Sequence, residues 1–569
     1  MTAAYLQSIP HPPGFPLYIL MSSLMIKIVD VSTIAWRVGL MSALSIILAR
    51  IMLFQWLKKL FNSLYLAICA VSIFSFLYPV WLFSSIPEVI MLLILFLSII
   101  MYLSFDKNIT KPFNIAFLAF VAGLAIFHNY LILITFPSLI HYLYVKHRSL
   151  FVNIQNRLMV ILFFFLGATP YIFYLSMPLR TTPLDTSFPN NLFELIRLMT
   201  RSDYGAFRLS RNVSFSLSSA FTSLLNLINF IVSDFKIIGC IFILLGVITI
   251  WRQKDKAVRN FFILNLGTFI VFFFYASFPF TINFTAGTFE KYLLIPYLFL
   301  VIILVLGVKS LVILINHQLH NHFLRHLAKV SLYISLAIYV VILFVNNSPK
   351  ILLLKDDRTA ENLGYDVLNT VEKGAIVNLK GDTITYNSLY VTQVLHHRAD
   401  VKFINFLRLN DTRYQKKIKS LYPDVTIPAI NQKYEITVND FLIFNSDKFT
   451  IYSSEPIDSK NSTWLPKGIL WKYYPETDAL PNSKALILEN LKIWDLYHSP
   501  FSGSLSKYKS LLLSDVLRTY ALGHWSFAEL LNKDAQYRLA KGEYEQAYNL
   551  WPENSTITKS YKKNLNNQK

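Results

Sequence analysis

Ile9-Pro10-His11-Pro12-Pro13-Gly14-Phe15-Pro16-Leu17-Tyr18 decides how the rest of the chain is read. Four prolines and a glycine between positions 10 and 16 can neither continue a helix nor lie in the centre of a sheet. Proline has no backbone donor, and its ring clashes with the preceding turn. Yet this rigid segment runs directly into the apolar stretch 17–31. Two readings stand side by side. One is a fixed turn at the mouth of a membrane domain, suited to holding a reactive head group. The other is a plain helix start in which His11 acts as the cap.

The composition favours a membrane domain. Of 569 residues, 54% are hydrophobic and only 15% are charged, which excludes an ordinary soluble protein. The stretch 17–31, interrupted by Lys27 and Asp30, reads as a helix lying at the interface. Ten runs approach the ~20 apolar residues that cross a bilayer: 33–55, 64–83, 89–105, 112–127, 130–145, 158–175, 235–251, 261–277, 292–315 and 330–345. The net charge of +20 belongs mainly in cytoplasmic loops, so it gives no argument for nucleic acid. Cys69 and Cys240 both lie in apolar runs and form neither a disulfide framework nor a zinc site. Met1 leads into polar turn residues, without the pattern of a cleavable signal peptide.

Positive charge sets the expected orientation. Arg50, Lys58, Lys59, Lys107, Lys111, Lys146, Arg148, Arg157, Arg252–Arg259 and Lys309–Lys329 fall on one side of alternating spans, which should be cytoplasmic. The Pro-Pro-Gly segment, Glu88, the 176–232 loop, Glu290 and everything after Asn346 then fall outside.

From about residue 350 the composition becomes that of a soluble protein. Helices over 359–371 and 388–396, with strands over 375–379 and 401–407, predict a small α/β unit. Gly381-Asp382-Thr383 follows the first strand, where α/β ligand sites often form, or is simply a turn. Residues 441–444 and 449–452 read as a hairpin. The tail 509–565 reads as helical, and Tyr537–Asn554 has the spacing of half a tetratricopeptide repeat. The expected organisation is a membrane domain over 1–348, an α/β domain over 349–500 and a repeat-like helical tail over 501–569.

Several residues could carry chemistry. The outer loop holds Arg180, Arg197, Arg201, Arg208 and Arg211, against the positive-inside bias. Arginine grips phosphate through a bidentate fork, so an anionic ligand at the membrane surface is one reading. A salt-bridged loop on lipid head groups is the other. Glu88 sits at the outer end of a span, where an ionisable group suggests function; a carboxylate at a helix start is the bland alternative. His128-Asn129 fits a tight turn. Glu290-Lys291-Tyr292 opens a span, and Lys291 is a further phosphate candidate. His11 could act as a base, with no partner visible locally. His317, His320 and His322 lie among basic residues and read as a solvated loop, not a metal site. Asn-x-Ser/Thr sequons at 212, 283, 346, 410, 461 and 554 fall on the expected outer side, and one at 108 does not.

Ala3-Ala4-Tyr5 followed by His11-Pro12-Pro13-Gly14-Phe15-Pro16-Leu17-Tyr18 resembles the signature of the multi-pass family that contains the transmembrane protein 260 type O-mannosyltransferases and their bacterial relatives. Tyr174–Arg180 is similar to that family's Tyr-Leu-Pro-(Leu/Ile)-Arg segment, and Thr200–Gly205, with Arg201 and Tyr204, to its Thr-Arg-x-x-Tyr-Gly segment. Asp185–Asn190 stands where the family shows Trp-Gly-Asp-Pro. The resemblance implies a GT-C-like fold of about ten spans that uses a sugar carried on a lipid phosphate. It also implies substrate contacts from Pro12, Pro13, Gly14, Tyr18, Arg180, Asp185, Arg201, Tyr204 and Lys291. The family's acidic first loop would align upstream of Met1, which leaves Glu88 and His11 as the catalytic candidates.

The first functional reading is a glycosyltransferase moving a sugar, for example mannose, from a polyprenyl-phosphate donor to a protein or envelope glycan. A transporter of lipid-linked intermediates and a non-catalytic scaffold are the alternatives. The expected setting is a bacterial plasma membrane, or the endoplasmic reticulum of a eukaryote. The donor lipid, the acceptor and the membrane are the expected partners, without a certain cofactor.

Overall fold

The computed structural model describes residues 1–177, 182–184, 188–202, 215–427, 437–458, 462–476 and 478–566. Arg180, Asp185, Tyr204, Arg208 and Arg211 lie outside these residues. The chain forms two compact units. One contains Met1 and residues 11–178 and 188–352; the other contains residues 2–10, 179–187 and 353–569.

Among its described residues the first unit contains helices and turns and no strand. Six helices are long and apolar enough to cross a membrane: Ile34–Phe61, Ile154–Leu175, Leu217–Trp251, Lys256–Ala276, Asn283–Gln318 and His322–Thr370. The pair Leu64–Phe76 and Tyr78–Ser85, bent by 68°, makes a seventh if taken as one span. The other expected spans are the shorter apolar helices Ile90–Ser104, Pro112–His128 and Tyr130–Lys146. Each of the ten apolar runs is therefore helical, but three fall short of the ~20 residues a perpendicular crossing needs. Pro16–Ile28 is a separate 13-residue helix.

Local chemistry sets the helix ends. Thr33 Oγ1 accepts from Trp36 N at 3.2 Å, which satisfies one orphan amide of the first turn. Lys58 and Lys59 lie in the last turn of the same helix, at the negative end of its dipole. Asn62 then turns the chain in a left-handed conformation, and Ser63 caps the next helix.

Glycines let the backbones meet. A Cβ on Gly246 would lie 1.9 Å from Ile303 O, and one on Gly307 would lie 2.3 Å from Phe242 O. Helices Leu217–Trp251 and Leu294–Gln318 thus touch main chain to main chain. Gly123 is pressed in the same way onto Phe164 O. Between apolar helices in lipid such close approach, and not hydrophobicity, drives association.

One expected loop proves partly helical. Residues 217–234 belong to the 35-residue helix Leu217–Trp251. Phe221, Leu225, Ile228 and Val232 lie exposed along one face at helical spacing. The interspersed Ser and Asn residues hid that period. The helix is broken at Lys236, which has φ 57° and ψ 173°.

The second unit is built on a five-stranded sheet of order β2-β1-β3-β5-β4. The strands are β1 (Ile376–Asn378), β2 (Lys402–Phe403), β3 (Ile451–Ser453), β4 (Ser462–Lys467) and β5 (Leu470–Pro475). β1 runs parallel to both β2 and β3, while β5 pairs antiparallel with β3 and β4. The expected hairpin over 441–452 is overturned. Phe441–Phe444 lies in the helix Val438–Ser446, started by a capping box between Thr437 and Asp440. Phe441 and Leu442 face the core beside Ile451, so a short apolar run reads the same in a buried helix as in a strand. The helix expected over 388–396 spans Asp382–Gln393 and absorbs the Asp382-Thr383 turn. The tail forms the helices Ser514–Lys533, Tyr537–Leu550 and Ser555–Asn566, with Phe527, Ala528 and Leu531 packed on Ala540 and Tyr544.

Arg398 and Asp400 staple this unit. The Arg398 guanidinium donates to Leu368 O, Val371 O and Glu372 O at 2.8–2.9 Å and to both Asp400 oxygens at 2.9 and 3.0 Å. Gly374 N also donates to Asp400 at 2.7 Å. The Arg398 contact holds the Asp400 carboxyl well below the usual carboxylate range.

Two outcomes follow. Gly246→Val should lower the melting temperature in lipid nanodiscs, whereas Gly267→Ala, where an added Cβ meets nothing within 4 Å, should not. Asp400→Asn should destabilise the second unit at neutral pH by about 1–3 kcal/mol. Because folding depresses this carboxyl, its stabilisation is complete above an unfolded pKa of ~3.9 and is lost as pH falls towards the folded value. Melting curves of the two proteins should therefore converge in acid; a constant gap would refute the linkage.

Candidate functional site

The Pro-Pro-Gly segment is a clamped loop. Its Pro12–Pro13 peptide is cis, and Gly14 (φ 95°) and Phe15 (φ 49°) are left-handed. Pro16 then starts the helix, where its missing donor costs nothing. His11 does not cap that helix: no side chain caps it, and His11 Nδ1 lies 3.0 Å from Pro12 O.

Buried hydroxyls hold the loop from two directions. Tyr171 Oη lies 2.9 Å from Pro13 O and 3.0 Å from Phe127 O, and Tyr174 donates to Gly14 O at 2.6 Å. Both tyrosines are buried. On the other side, Tyr18 Oη lies 3.2 Å from Ser42 Oγ. Ser42 in turn donates to Glu88 O at 3.0 Å and accepts from Glu88 N at 2.9 Å. His128 Nε2 lies 2.9 Å from Val89 O. The rings of His11, Phe15 and His128 form a row of edge contacts with centroids 5.4 and 5.8 Å apart.

The structure thus gathers His11, Pro12, Pro13, Gly14, Tyr18 and Glu88 around one loop, with Ser42, His128, Tyr171 and Tyr174 as supports that the sequence had not singled out together. Glu88 is half-buried, and its Oε1 accepts from Val89 N at 3.0 Å, the geometry of a carboxylate at a helix start. Asn129 accepts from Leu131 N at 3.0 Å and forms the turn after His128. Arg201 takes a left-handed conformation (φ 53°) just past the helix Leu192–Met199. It acts electrostatically on Tyr130, whose hydroxyl donates to Met199 O. Lys291 lies 5.7 Å from the Tyr292 ring.

A second cluster lies at the break in the helix Leu217–Trp251. Tyr297 donates to Asp234 Oδ2 at 2.6 Å, and Tyr339 donates to Phe235 O at 2.8 Å. Lys236 Nζ donates to Ser233 O at 2.6 Å. Glu290, only 5% exposed, interacts electrostatically with Asp234, and Lys350 acts on both carboxylates. Asp234 falls between the 176–232 loop and the apolar run 235–251, so the sequence did not single it out. The signal was an acid inside a continuous apolar stretch, which is costly and marks function by default. Among the described residues, no three His, Cys, Asp or Glu side chains gather at metal-binding geometry.

Fold and site together define a multi-helix membrane protein that carries a small α/β unit. Comparison with known proteins narrows the class. Residues 1–151 match the family described as Protein O-mannosyl-transferase TMEM260 N-terminal domain. Over 550 residues, 88% of the chain, it is 21% identical to Protein O-mannosyl-transferase tmem260 of Dictyostelium discoideum, covering 66% of that protein. Over 523 residues, 84% of the chain, it is 25% identical to Protein O-mannosyl-transferase TMEM260 of Mus musculus, covering 70% of it. No solved structure matches the chain. The chain is TMEM260-like, as its motifs imply.

Tyr174→Phe tests the clamp. It leaves the buried Gly14 carbonyl without this donor and should cost about 1–3 kcal/mol, read as a lower melting temperature in nanodiscs. An unchanged melting temperature would show that the hydroxyl does not hold the loop.

Proposed function

We propose that the chain is a membrane glycosyltransferase that moves a sugar, with mannose the first candidate, from a polyprenyl-phosphate donor to a protein hydroxyl or an envelope glycan. The transfer forms a bond from the acceptor oxygen to the sugar C1 and breaks the bond from C1 to the phosphate oxygen. The acceptor proton passes to a carboxylate, and the polyprenyl phosphate leaves. The observation that carries this reading is the clamped loop at His11–Tyr18, which lies within the part of the chain that matches the O-mannosyl-transferase family. A loop clamped from two sides suits a head group that must be held in one orientation, because positioning lowers the entropic part of the barrier.

The roles follow from side-chain chemistry. Arg180, Arg201 and Lys291 grip the phosphate. Pro12, Pro13, Gly14 and Tyr18 contact the sugar, and Asp185 and Tyr204 are further candidate contacts. Glu88 and His11 orient the acceptor. Glu290, a buried carboxylate near the break that holds Asp234, takes the acceptor proton as general base. The ten apolar helices form a GT-C-like domain over 1–348. Its reactive face lies on the outer or luminal side, together with the α/β domain (349–500) and the helical tail (501–569).

A second reading, transport of lipid-linked glycans, draws support from one feature. Helices broken beside intramembrane charges are a device of transporters, and the break at Lys236 is of that kind.

The test uses purified protein in nanodiscs with polyprenyl-phosphate mannose and a Ser/Thr-rich acceptor peptide. Arg180→Ala and Arg201→Ala should raise the donor KM and abolish transfer at low donor. Glu290→Gln should lower kcat by about a hundredfold or more with little change in KM. Full activity in Glu290→Gln would remove the carboxylate pair from the reaction. Movement of the lipid-linked sugar across vesicles, without transfer to peptide or glycan, would establish the transport reading instead.

A further inference from the structure

The second unit carries a cleft that no step of the transfer uses. It has a volume of about 330 Å³ and is lined by residues that follow β1, β2 and β3, from Lys380–Asp382, Asn405–Leu407 and Glu455–Asp458. β1 lies between β2 and β3, parallel to both. The chain leaves β1 by the helix Asp382–Gln393 to β2 on one side, and reaches β3 on the other only later. The strand order therefore reverses at β1, and the carboxyl ends of the strands diverge there to leave a crevice.

The cleft is braced. Asn378, 7% exposed, donates to Ser453 Oγ at 3.1 Å and accepts from Phe406 N at 3.1 Å, so one buried amide ties the ends of β1 and β3 to the segment after β2. Lys380 N donates to Ser454 Oγ at 2.9 Å. Gly381 has φ 105°, with open space where a Cβ would stand, so backbone forms part of the wall at the start of the Asp382–Gln393 helix. Tyr386 is anchored on Pro10 O at 3.1 Å.

The charges select the ligand. A helix start offers backbone donors and would draw an anion. Here Asp382, Glu455 and Asp458 line the same space, and its lysine, Lys380, is paired with Glu455 at 2.5 Å. With Glu455 and Lys380 balancing each other, Asp382 and Asp458 leave the cleft net negative, which repels a phosphate. What remains is a site with strong hydrogen-bond acceptors, backbone donors and apolar wall from Phe406, Leu407 and Ile457. Leu407 is 82% exposed at the rim, a cost in water that a bound ring face would relieve.

We propose that this cleft binds a neutral polyhydroxyl ligand, a single hexose unit. Sugar hydroxyls donate to the carboxylates and accept from the backbone, and the apolar face of the ring covers Leu407. The site stands whether the membrane unit is an enzyme, a transporter or a scaffold.

The test is saturation-transfer NMR on the full chain in lipid nanodiscs, free of glycoside detergents, with methyl α-D-glucopyranoside as probe and glucose 1-phosphate as its anionic counterpart. Saturable millimolar binding of the neutral probe is expected. Asp382→Ala should weaken it about tenfold, the loss of one charge-assisted hydrogen bond. Leu407→Lys, at an exposed position that does not threaten folding, should weaken it as well. Glu545→Ala, on an exposed turn of the tail, should leave it unchanged. Absence of saturable binding, equal binding by Asp382→Ala and Leu407→Lys, or tighter binding of glucose 1-phosphate would each overturn the proposal.

Discussion

A carbonyl freed inside an apolar bundle has no water to turn to, and each one left unsatisfied costs several kcal/mol. The membrane unit contains several places where a helix stops, bends or turns among its neighbours, and side-chain donors meet the freed groups. Tyr171 and Tyr174 serve the Pro-Pro-Gly loop, and Tyr339 serves the break at Lys236. Tyr130 caps the end of Leu192–Met199. Asn347 donates to Phe76 O, where the bent pair of helices parts. The irregular backbone that function needs is possible here because a ring brings each hydroxyl to it through apolar surroundings.

Breaks satisfied in this way concentrate polarity without opening the unit to water. The interrupted helix at Lys236 gathers Asp234, Glu290, Tyr297 and Lys350, while the clamped loop fixes His11–Tyr18 against Ser42 and Glu88. Glycine contacts elsewhere work in the opposite sense. Gly246 against Ile303 O and Gly123 against Phe164 O bring helix backbones into direct contact, so irregularity is confined to a few points between tightly packed stretches.

The apolar runs were legible from the sequence because a helix in lipid needs little beyond length and hydrophobicity. All ten became helices, and what the sequence did not carry was which of them reach spanning length. The Pro-Pro-Gly loop was legible as a rigid feature, since proline and glycine act through their own backbone. Its supports were not, because Tyr171 and Ser42 meet the loop from distant positions in the chain. Asp234 was lost when Ser and Asn residues made 217–234 look like loop. In the α/β unit the order of helices and strands was partly legible. Phe441–Phe444 was misread because a four-residue apolar run has no period of its own, and the Thr437–Asp440 capping box that settles it was overlooked.

The sheet of the second unit is finished at both sides. β2 is two residues long, and β4 carries Pro466 in its interior. A short strand and a proline both blunt an edge. An extended polypeptide passing this unit finds only a two-residue edge or one interrupted by proline, so recognition by strand addition is disfavoured. A chain bound by this unit is then chosen by its side chains or by the groups attached to them, not by its backbone.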